Sequence, residues 1–336
     1  MYTRALALAA LMATTVGAGA ADMPVKAVAK ASEAPFFIVN DNSMSYSYVF
    51  RGAVPGTGYT PKNVYTFTHF DVWAYGTNFF LMDYLKATRG GPSNSPLLNT
   101  PFYGGPSSPC DSPLYTGNSF CPGFAEIYAL YRSTIGWNQL FGTKAFSVGP
   151  LTNIEFAWGA DVNVDNTTLG SNKRAIQGGL QFDFMAPYKG FFNVAVYAYH
   201  EWQHDGYTVA FPFGFGTNLT ENVEFKTTWK IEYIYSQSLG FLPSWLPMTF
   251  KAIGVIVGPK GVGEPGAAAR VTEYHLWENL SLDVGQMVFN KPGMFSVWTE
   301  FHWWKNKFGI SPNIPAPATL CCTVESTWVA GMTWAF

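Results

Sequence analysis

Histidines and cysteines are the residues of this chain that could support catalysis or bind a metal. Of the five scattered histidines, only His200 and His204 lie close together in sequence. On a helix such an i, i+4 pair would suggest a metal site, but on a strand the two side chains lie about 13 Å apart. No Cys/His spacing matches a zinc site, and neither a G-x-S-x-G motif nor a P-loop occurs. The sequence therefore predicts no enzymatic activity, no metal and no cofactor.

Two tyrosines and a glutamate near residue 200 have a spacing that suits the binding of a small solute. Tyr197, Tyr199 and Glu201 lie at every second residue, and the alternate positions are Val196, Ala198 and His200. On a strand, this alternation turns both rings and the carboxylate to one side. Aromatic rings stack on flat solutes, and carboxylate and lysine groups bond to hydroxyls. Such chemistry requires a sheet that brings the polar sides of several strands around one space.

The same two-residue period recurs along the chain and predicts about twelve strands. An amphipathic helix would instead repeat its apolar residues at i, i+3, i+4 and i+7. In 223–235, Val223 and Phe225 alternate with Lys226 and Lys230, which predicts that the apolar side faces outward and the lysines face inward. The other clear segments are 151–163, 173–184, 191–202 and 294–305, the weaker ones are 43–52, 62–69, 73–84, 124–134, 247–258 and 270–288, and a terminal strand ends the chain.

The composition indicates which environment covers this sheet. Charged residues make up only 12% of the chain, about half the usual share, while aromatic residues make up 17%. A soluble protein this poor in charge would have difficulty covering its surface, whereas lipid could cover it. The formal net charge of -2 argues against a nucleic-acid polymer as a partner.

The N-terminal segment has the layout of a secretory signal peptide. Arg4 precedes an apolar core over 5–16, and Ala18-Gly19-Ala20 forms a small-residue cleavage site. Residues 1–20 are therefore predicted to be the signal peptide and 21–37 a flexible periplasmic lead-in. No later apolar run approaches the roughly 18 residues that a membrane-spanning helix needs.

The C-terminal residues complete the prediction of the fold. Trp328, Met332, Trp334 and Phe336 fall on one face of an alternating strand. A terminal strand that ends in Phe resembles the last strand of outer-membrane barrels, whose end the barrel assembly machinery reads. We therefore expect residues 38–336 to form an all-β fold, a closed antiparallel transmembrane β-barrel of about twelve strands in the Gram-negative cell outer membrane, with lipid around it.

The side of the strands that faces the barrel interior carries acids, bases and rings together. Two interpretations remain open for each residue: transverse ion pairs that brace a narrow lumen, or groups that bind a flat, polar solute. The candidate solute-binding residues are Tyr197, Tyr199, Glu201, Tyr128, Glu126, Arg132, Lys226, Lys230, Glu300 and Trp298.

About half of the chain resembles a known family, the nucleoside-specific channel-forming outer-membrane porins. The resemblance rests on 75–83 (YGTNFFLMD), 194–203 (VAVYAYHEWQ), and the run from 282–285 (LDVG) through 289–293 (FNKPG) to 300–309 (EFHWWKNKFG). It implies a monomeric twelve-stranded barrel with a narrow lumen that binds nucleosides. The family's binding residues would correspond to Tyr197, Tyr199 and Glu201.

The resemblance does not extend to the two cysteine-bearing loops, 86–122 and 307–324, which shape the mouth of the barrel. The expected function is passive, substrate-selective uptake of nucleosides or similar small polar solutes. One alternative is a surface interaction protein, such as an adhesin or phage receptor, with a plugged barrel. Another is an outer-membrane lipid hydrolase, although no short Ser/His/Asn run resembles such an enzyme.

A disulfide between Cys110 and Cys121 is the simplest bridge within the first of these loops. It should contribute on the order of 2–3 kcal/mol to loop order. Its reduction should hardly change barrel stability, because ladder hydrogen bonds maintain the fold in lipid. Thiol trapping followed by mass spectrometry of the oxidised protein checks the bridge, and two free thiols there would contradict it. The pairing of the adjacent Cys321 and Cys322 stays open, since a vicinal bond is strained.

Overall fold

The computed structural model describes residues 36–54, 58–87, 125–165, 172–188, 190–204, 222–263, 269–313 and 322–336. The predicted signal peptide, nearly all of the lead-in, and Cys110 and Cys121 lie outside these residues, so those predictions stay untested. The strands are β1 (Phe37–Val54), β2 (Gly58–Trp73), β3 (Gly76–Ala87), β4 (Ala125–Gly136), β5 (Leu151–Asp165), β6 (Arg174–Ala186), β7 (Gly190–His204), β8 (Asn222–Glu224), β9 (Thr228–Ser238), β10 (Met248–Val257), β11 (Glu273–Asp283), β12 (Phe295–Lys305) and β13 (Val324–Ala335).

These strands form one closed antiparallel barrel. Consecutive strands pair with each other, the first pairs with the last through β1 and β13, and β6 pairs with β7. The very short β8 continues the line of β9 along the same edge of β7. Counting β8 and β9 as one strand, the barrel has twelve strands. The prediction of a closed barrel of about twelve strands is therefore confirmed. Each predicted segment corresponds to one strand, except 223–235, which covers both β8 and β9.

A β-bulge separates β8 from β9 and corrects one predicted position. Tyr199 pairs with Thr228 and Trp202 pairs with Glu224, so β7 has two residues between these pairs where the other strand has three. A bulge of one residue reverses which side chains face inward. Phe225 is accordingly buried, with 1% exposure, while Lys226 is exposed. The predicted inward position of Lys226 is therefore wrong, because the alternation does not run unbroken through 223–235.

The two ends of the barrel differ in their connections. At the end that holds both described termini, connections are compact and include the helices α1 (Trp137–Leu140) and α2 (Val284–Phe289). At the other end they span 88–124, 166–173, 205–221, 258–272 and 306–323, with one short connection at 55–57. We call these the turn end and the loop end. In bacterial barrels, short turns face the periplasm and long loops face outward.

Helix α2 corrects the predicted strand 270–288. The strand β11 ends at Asp283, and α2 begins directly after it. Asp283 caps this helix, since its carboxylate accepts from the backbone N–H of Gln286 at 2.8 Å and from that of Gly293 at 2.7 Å. An Asp at this position satisfies N–H groups that lack a partner within the helix. The chain therefore turns at Asp283, where the two-residue pattern alone predicted five more strand residues.

The outer face of the barrel is apolar. Large hydrophobic side chains that are 37% or more exposed include Met44, Tyr65, Met82, Ile127, Phe156, Trp158, Val162, Ile176, Val196, Trp229, Val297, Trp328 and Met332. A continuous apolar surface of this kind needs a hydrocarbon solvent. No helix in the described part of the chain is long and apolar enough to cross a membrane.

Gly331 provides a test of the packing inside this barrel. It lies opposite Trp298 in the β12–β13 ladder, and a Cβ added to it would lie 2.4 Å from Trp298 Cζ2. We expect Gly331→Leu to lower the free energy of unfolding by about 1–3 kcal/mol, because it overpacks the interior. Ala330→Leu is the matched control, since Ala330 is exposed on the lipid side. Urea unfolding of the bilayer-folded protein measures both variants, and equal stabilities would contradict this packing.

Candidate functional site

The loop-end half of the lumen, which we call the upper lumen, is densely packed in the part of the chain that the structure describes. Inward side chains from most strands are less than 9% exposed there. They include Ser47, Lys62, Asp161, Asn163, Gln177, Tyr199, Glu201, Lys230, Val257, Glu273, Glu325, Thr327 and Val329. The polar members of this set must find partners inside the protein, because a buried polar group without a hydrogen bond is costly.

The turn-end half, which we call the lower lumen, is partly open to solvent along β10–β13 and β1–β3. Ile234, an inward residue of β9, is 37% exposed. The half-buried inward residues are Ser43, Ser45, Thr66, Thr68, Asp83, Thr249, Lys251, Asn279, Ser281, Ser296, Trp298, Glu300 and Thr333. This set combines hydroxyl groups, an amide, an ammonium and a large ring, which are the groups that bind small polar solutes.

A cluster of charges spans the lumen between these halves. Arg132 on β4 donates from Nη2 to Glu232 Oε1 at 2.8 Å and from Nε to Glu232 Oε2 at 2.9 Å, across to β9. Its Nη1 also donates to Asp161 at 2.7 Å. Lys230 lies 2.6 Å from Glu232 and donates to Gln177 at 2.7 Å. We call these five residues the central cluster. Two cations face two carboxylates, so its charge balances.

The central cluster favours the bracing interpretation for Arg132 and Lys230. Glu232 occupies the guanidinium fork in bidentate geometry, which is the strongest arrangement for such a pair. Lys230 is only 3% exposed. Both residues face inward as predicted, but their donors are already used by carboxylates and an amide of the wall.

Tyr197, Tyr199 and Glu201 also face inward, yet the structure buries them. Their exposures are 5%, 1% and 1%. The hydroxyl of Tyr199 donates to Glu201 at 2.5 Å, and the ammonium of Lys230 lies 5.0 Å from the centre of the Tyr199 ring. The ring and carboxylate are therefore engaged within the wall, and neither is presented to a solute in the open lower lumen.

Two lysines from the loop end close the upper lumen. Lys260 donates to Glu201 at 2.7 Å, with both side chains 1% exposed, and Lys307 donates to Glu325 at 2.9 Å. The short 3-10 turn Lys307–Gly309 positions the second lysine, whose backbone N–H bonds to the carbonyl of Thr323 at 2.9 Å. We call these two ion pairs the latches. Lys260 and Lys307 were not predicted, since both lie in segments interpreted as polar loops.

The remaining predicted residues lie at different levels of the lumen. Glu126, near the loop end, accepts from Asn163 and lies 3.9 Å from Lys62. Tyr128 is half-buried. Glu300 and Trp298 lie two residues apart in the lower lumen, where the Trp298 indole donates to Thr333 at 2.9 Å. Of the predicted residues, these last two lie on the part of the open wall that β10–β12 form.

The open wall is best developed on β10–β12. Lys251, Asn279 and Glu300 form one row across the three strands. Asn279 donates to Glu300 at 3.1 Å, and His302 bonds to the other carboxylate oxygen. Asn279 could not be predicted, because the alternation of 270–288 was weak. Among the residues that the structure describes, no group of His, Cys, Asp or Glu side chains could hold a metal ion.

A closed antiparallel barrel with an apolar outer face and a polar lumen defines an outer-membrane β-barrel protein. The chain is therefore a barrel of the Gram-negative cell outer membrane. No family model matches the sequence. No curated protein matches it.

Several solved barrels align with most of the chain. The β domain of the Bordetella autotransporter Brka is 8% identical, with 88% of this chain and 98% of that chain covered and a TM-score of 0.35. The translocator domain of the autotransporter NalP from Neisseria meningitidis is 8% identical over 88% and 87%, with a TM-score of 0.37. The outer-membrane protein opdK from Pseudomonas aeruginosa is 8% identical over 88% and 98%, with a TM-score of 0.26. The lumen itself must therefore indicate the function.

The central cluster generates a stability prediction. Arg132→Met leaves Glu232 and Asp161 with one cation, and we expect the free energy of unfolding to fall by about 3–5 kcal/mol, because an uncompensated buried carboxylate is costly. The paired variant Arg132→Met/Glu232→Met should recover much of this loss. Urea unfolding in bilayers measures both. A single variant as stable as the parent would show that the cluster does not brace the barrel.

Proposed function

We propose that the protein is a gated, monomeric, passive channel of the outer membrane, selective for nucleosides or similar small polar solutes. The observation that carries this proposal is the half-open lumen: a solute-accessible polar and aromatic wall at the turn end lies below an upper lumen held shut by the latches. A purely structural barrel has no need of an accessible wall of this composition.

The wall suits a solute with a flat ring and hydroxyl groups. Trp298 offers a half-buried ring, and Asn279, Ser281 and Ser296 offer hydrogen-bonding groups nearby on β11 and β12. A stacked base contributes about 1–3 kcal/mol, so binding is expected in the tens of micromolar to millimolar range. Affinities this weak let a solute leave, which conduction requires. The ring that stacks is then Trp298 rather than the buried Tyr197 and Tyr199.

Passage through the barrel requires the upper lumen to open. Lys260 and Lys307 both come from connections between strands, whereas Glu201 and Glu325 belong to the barrel wall. A movement of these connections would therefore separate the charges without breaking the ladder. The latches would serve as the gate and the wall below them as the selective site.

The packed upper lumen also favours a second candidate, a surface interaction protein with a permanently plugged barrel. In that case the exposed loop end would carry the function, and the latches would be structural. The two candidates differ in one property, since only the channel conducts.

Breaking both latches distinguishes them. We expect Lys260→Met/Lys307→Met to raise the open fraction of single channels in planar bilayers about tenfold, because each lysine donates a charge-assisted hydrogen bond only in the closed state. Uridine added at the turn side should block the open current.

The matched control is Lys226→Met/Lys305→Met, which removes two exposed lysines near the same end of the barrel. Its currents should equal those of the parent. If neither the parent nor the latch variant conducts, the channel proposal fails and the plugged surface protein is favoured. If the latch variant conducts without uridine block, the lumen is a general small-solute pore.

A further inference from the structure

Lys251 and Glu300 present opposite charges on the open wall of the lower lumen. They occupy the same row of β10–β12, with Asn279 between them. Neighbouring strands lie about 4.8 Å apart, so two strand spacings separate their backbones by about 10 Å. In the described part of the chain, Lys251 makes no hydrogen bond or ion pair. Its ammonium is therefore available to an anionic group of a solute.

Glu300 is held in place on the other side of the row. Asn279 donates to Oε2 at 3.1 Å, and His302 bonds to Oε1. These contacts fix the direction of the carboxylate, and each of its oxygens keeps acceptor capacity. The Glu300 side chain is 19% exposed. One of its oxygens already faces His302, which forms an ion pair with it when the imidazole is protonated, so a cationic donor from the lumen would share this carboxylate with His302.

Trp298 adds an apolar surface next to this carboxylate. It is the inward residue two positions before Glu300, and it packs against the cluster of Val49, Val64 and Val329. The hydrogen bond from its indole to Thr333 fixes the ring. A fixed indole can stack with an aromatic ring or hold a cation over its face.

We propose that this wall binds zwitterionic aromatic α-amino acids, with the carboxylate at Lys251, the ammonium at Glu300 and the ring against Trp298. A solute with one charge satisfies only one end of the row and leaves the other end to water. A dianion such as a phosphate monoester is repelled by Glu300. The zwitterion is the small solute class whose charges match both ends, and the inference rests on the proposed role of the lower lumen as a solute site.

Three ligands that differ by one charged group test the inference in full-length protein folded in detergent. L-phenylalanine carries both charges, 3-phenylpropanoate lacks the ammonium, and phenethylamine lacks the carboxylate. Ligand-observed saturation-transfer NMR gives their dissociation constants without any need for the gate to open. We expect phenylalanine to bind about tenfold more tightly than either analogue, since each analogue loses one charge-assisted hydrogen bond.

Two variants test which charged group of the ligand each end of the row binds. Lys251→Met should weaken the binding of phenylalanine about tenfold and leave the affinity for phenethylamine unchanged. Glu300→Gln should weaken phenylalanine similarly and leave 3-phenylpropanoate unchanged, while Lys251→Arg should retain binding. The matched controls are Lys226→Met and Glu278→Gln, because both residues are exposed outside the lumen wall. Altered mobility on unboiled denaturing gels confirms that each variant is folded.

Equal affinities for phenylalanine and either analogue in the parent would overturn the inference, as would unchanged phenylalanine binding in both lumen variants. Uridine measured in the same way separates this outcome from failure of the proposed function. If uridine binds and the protein shows no preference for phenylalanine over its analogues, the amino-acid assignment fails while the proposed function stands. If phenylalanine shows the expected pattern and uridine does not bind, the amino-acid assignment stands and nucleosides are excluded as the solute.

Discussion

Every backbone hydrogen bond of a membrane-spanning strand must be made inside the protein, and the rest of this structure depends on that constraint. The pairing of β6 with β7 and of β1 with β13 leaves no open edge in the ladder. Closure then sorts the side chains automatically, because alternate residues must face either lipid or lumen. The low charge content of the chain follows from the large share of residues that face lipid.

Closure also forces the charged residues into a narrow space. Buried acids and bases of the lumen are satisfied by one another and by neighbouring polar side chains, and they pair over strands far apart in sequence, as Arg132 does with Glu232. Most of the charged side chains that looked suited to solute binding in the sequence are therefore paired inside the protein. The groups left for a solute are those near the turn end, where water reaches the wall.

The two-residue period predicted the strands and their number, because this signal is local and repeats in every strand. The closed membrane barrel followed from the period together with the low charge content and the terminal strand that ends in Phe336. It failed at Lys226, where one extra residue in a bulge reverses the faces. It also failed after Asp283, whose side chain caps a helix.

The site was predictable only in part. The inward direction of Tyr199 and Glu201 followed from alternation, but their burial did not, because Lys260 reaches Glu201 from a connection 59 residues further along the chain. No local pattern indicates a contact of that range. Glu300 and Trp298 were found because they belong to a clear strand, whereas Asn279 belongs to a weakly alternating one and was missed.

The unequal packing of the two lumen halves has a consequence for the permeability barrier of the cell. With the latches formed, the side chains of the upper lumen that the structure describes are packed against one another, so a compound from the outer side would meet them before it reached the lower lumen. In the orientation typical of bacterial barrels the turn end faces the periplasm, so a solute that bound the lower lumen would come from that compartment. Under the proposed function, occupancy of the lower lumen would therefore follow the internal rather than the external concentration of its ligand.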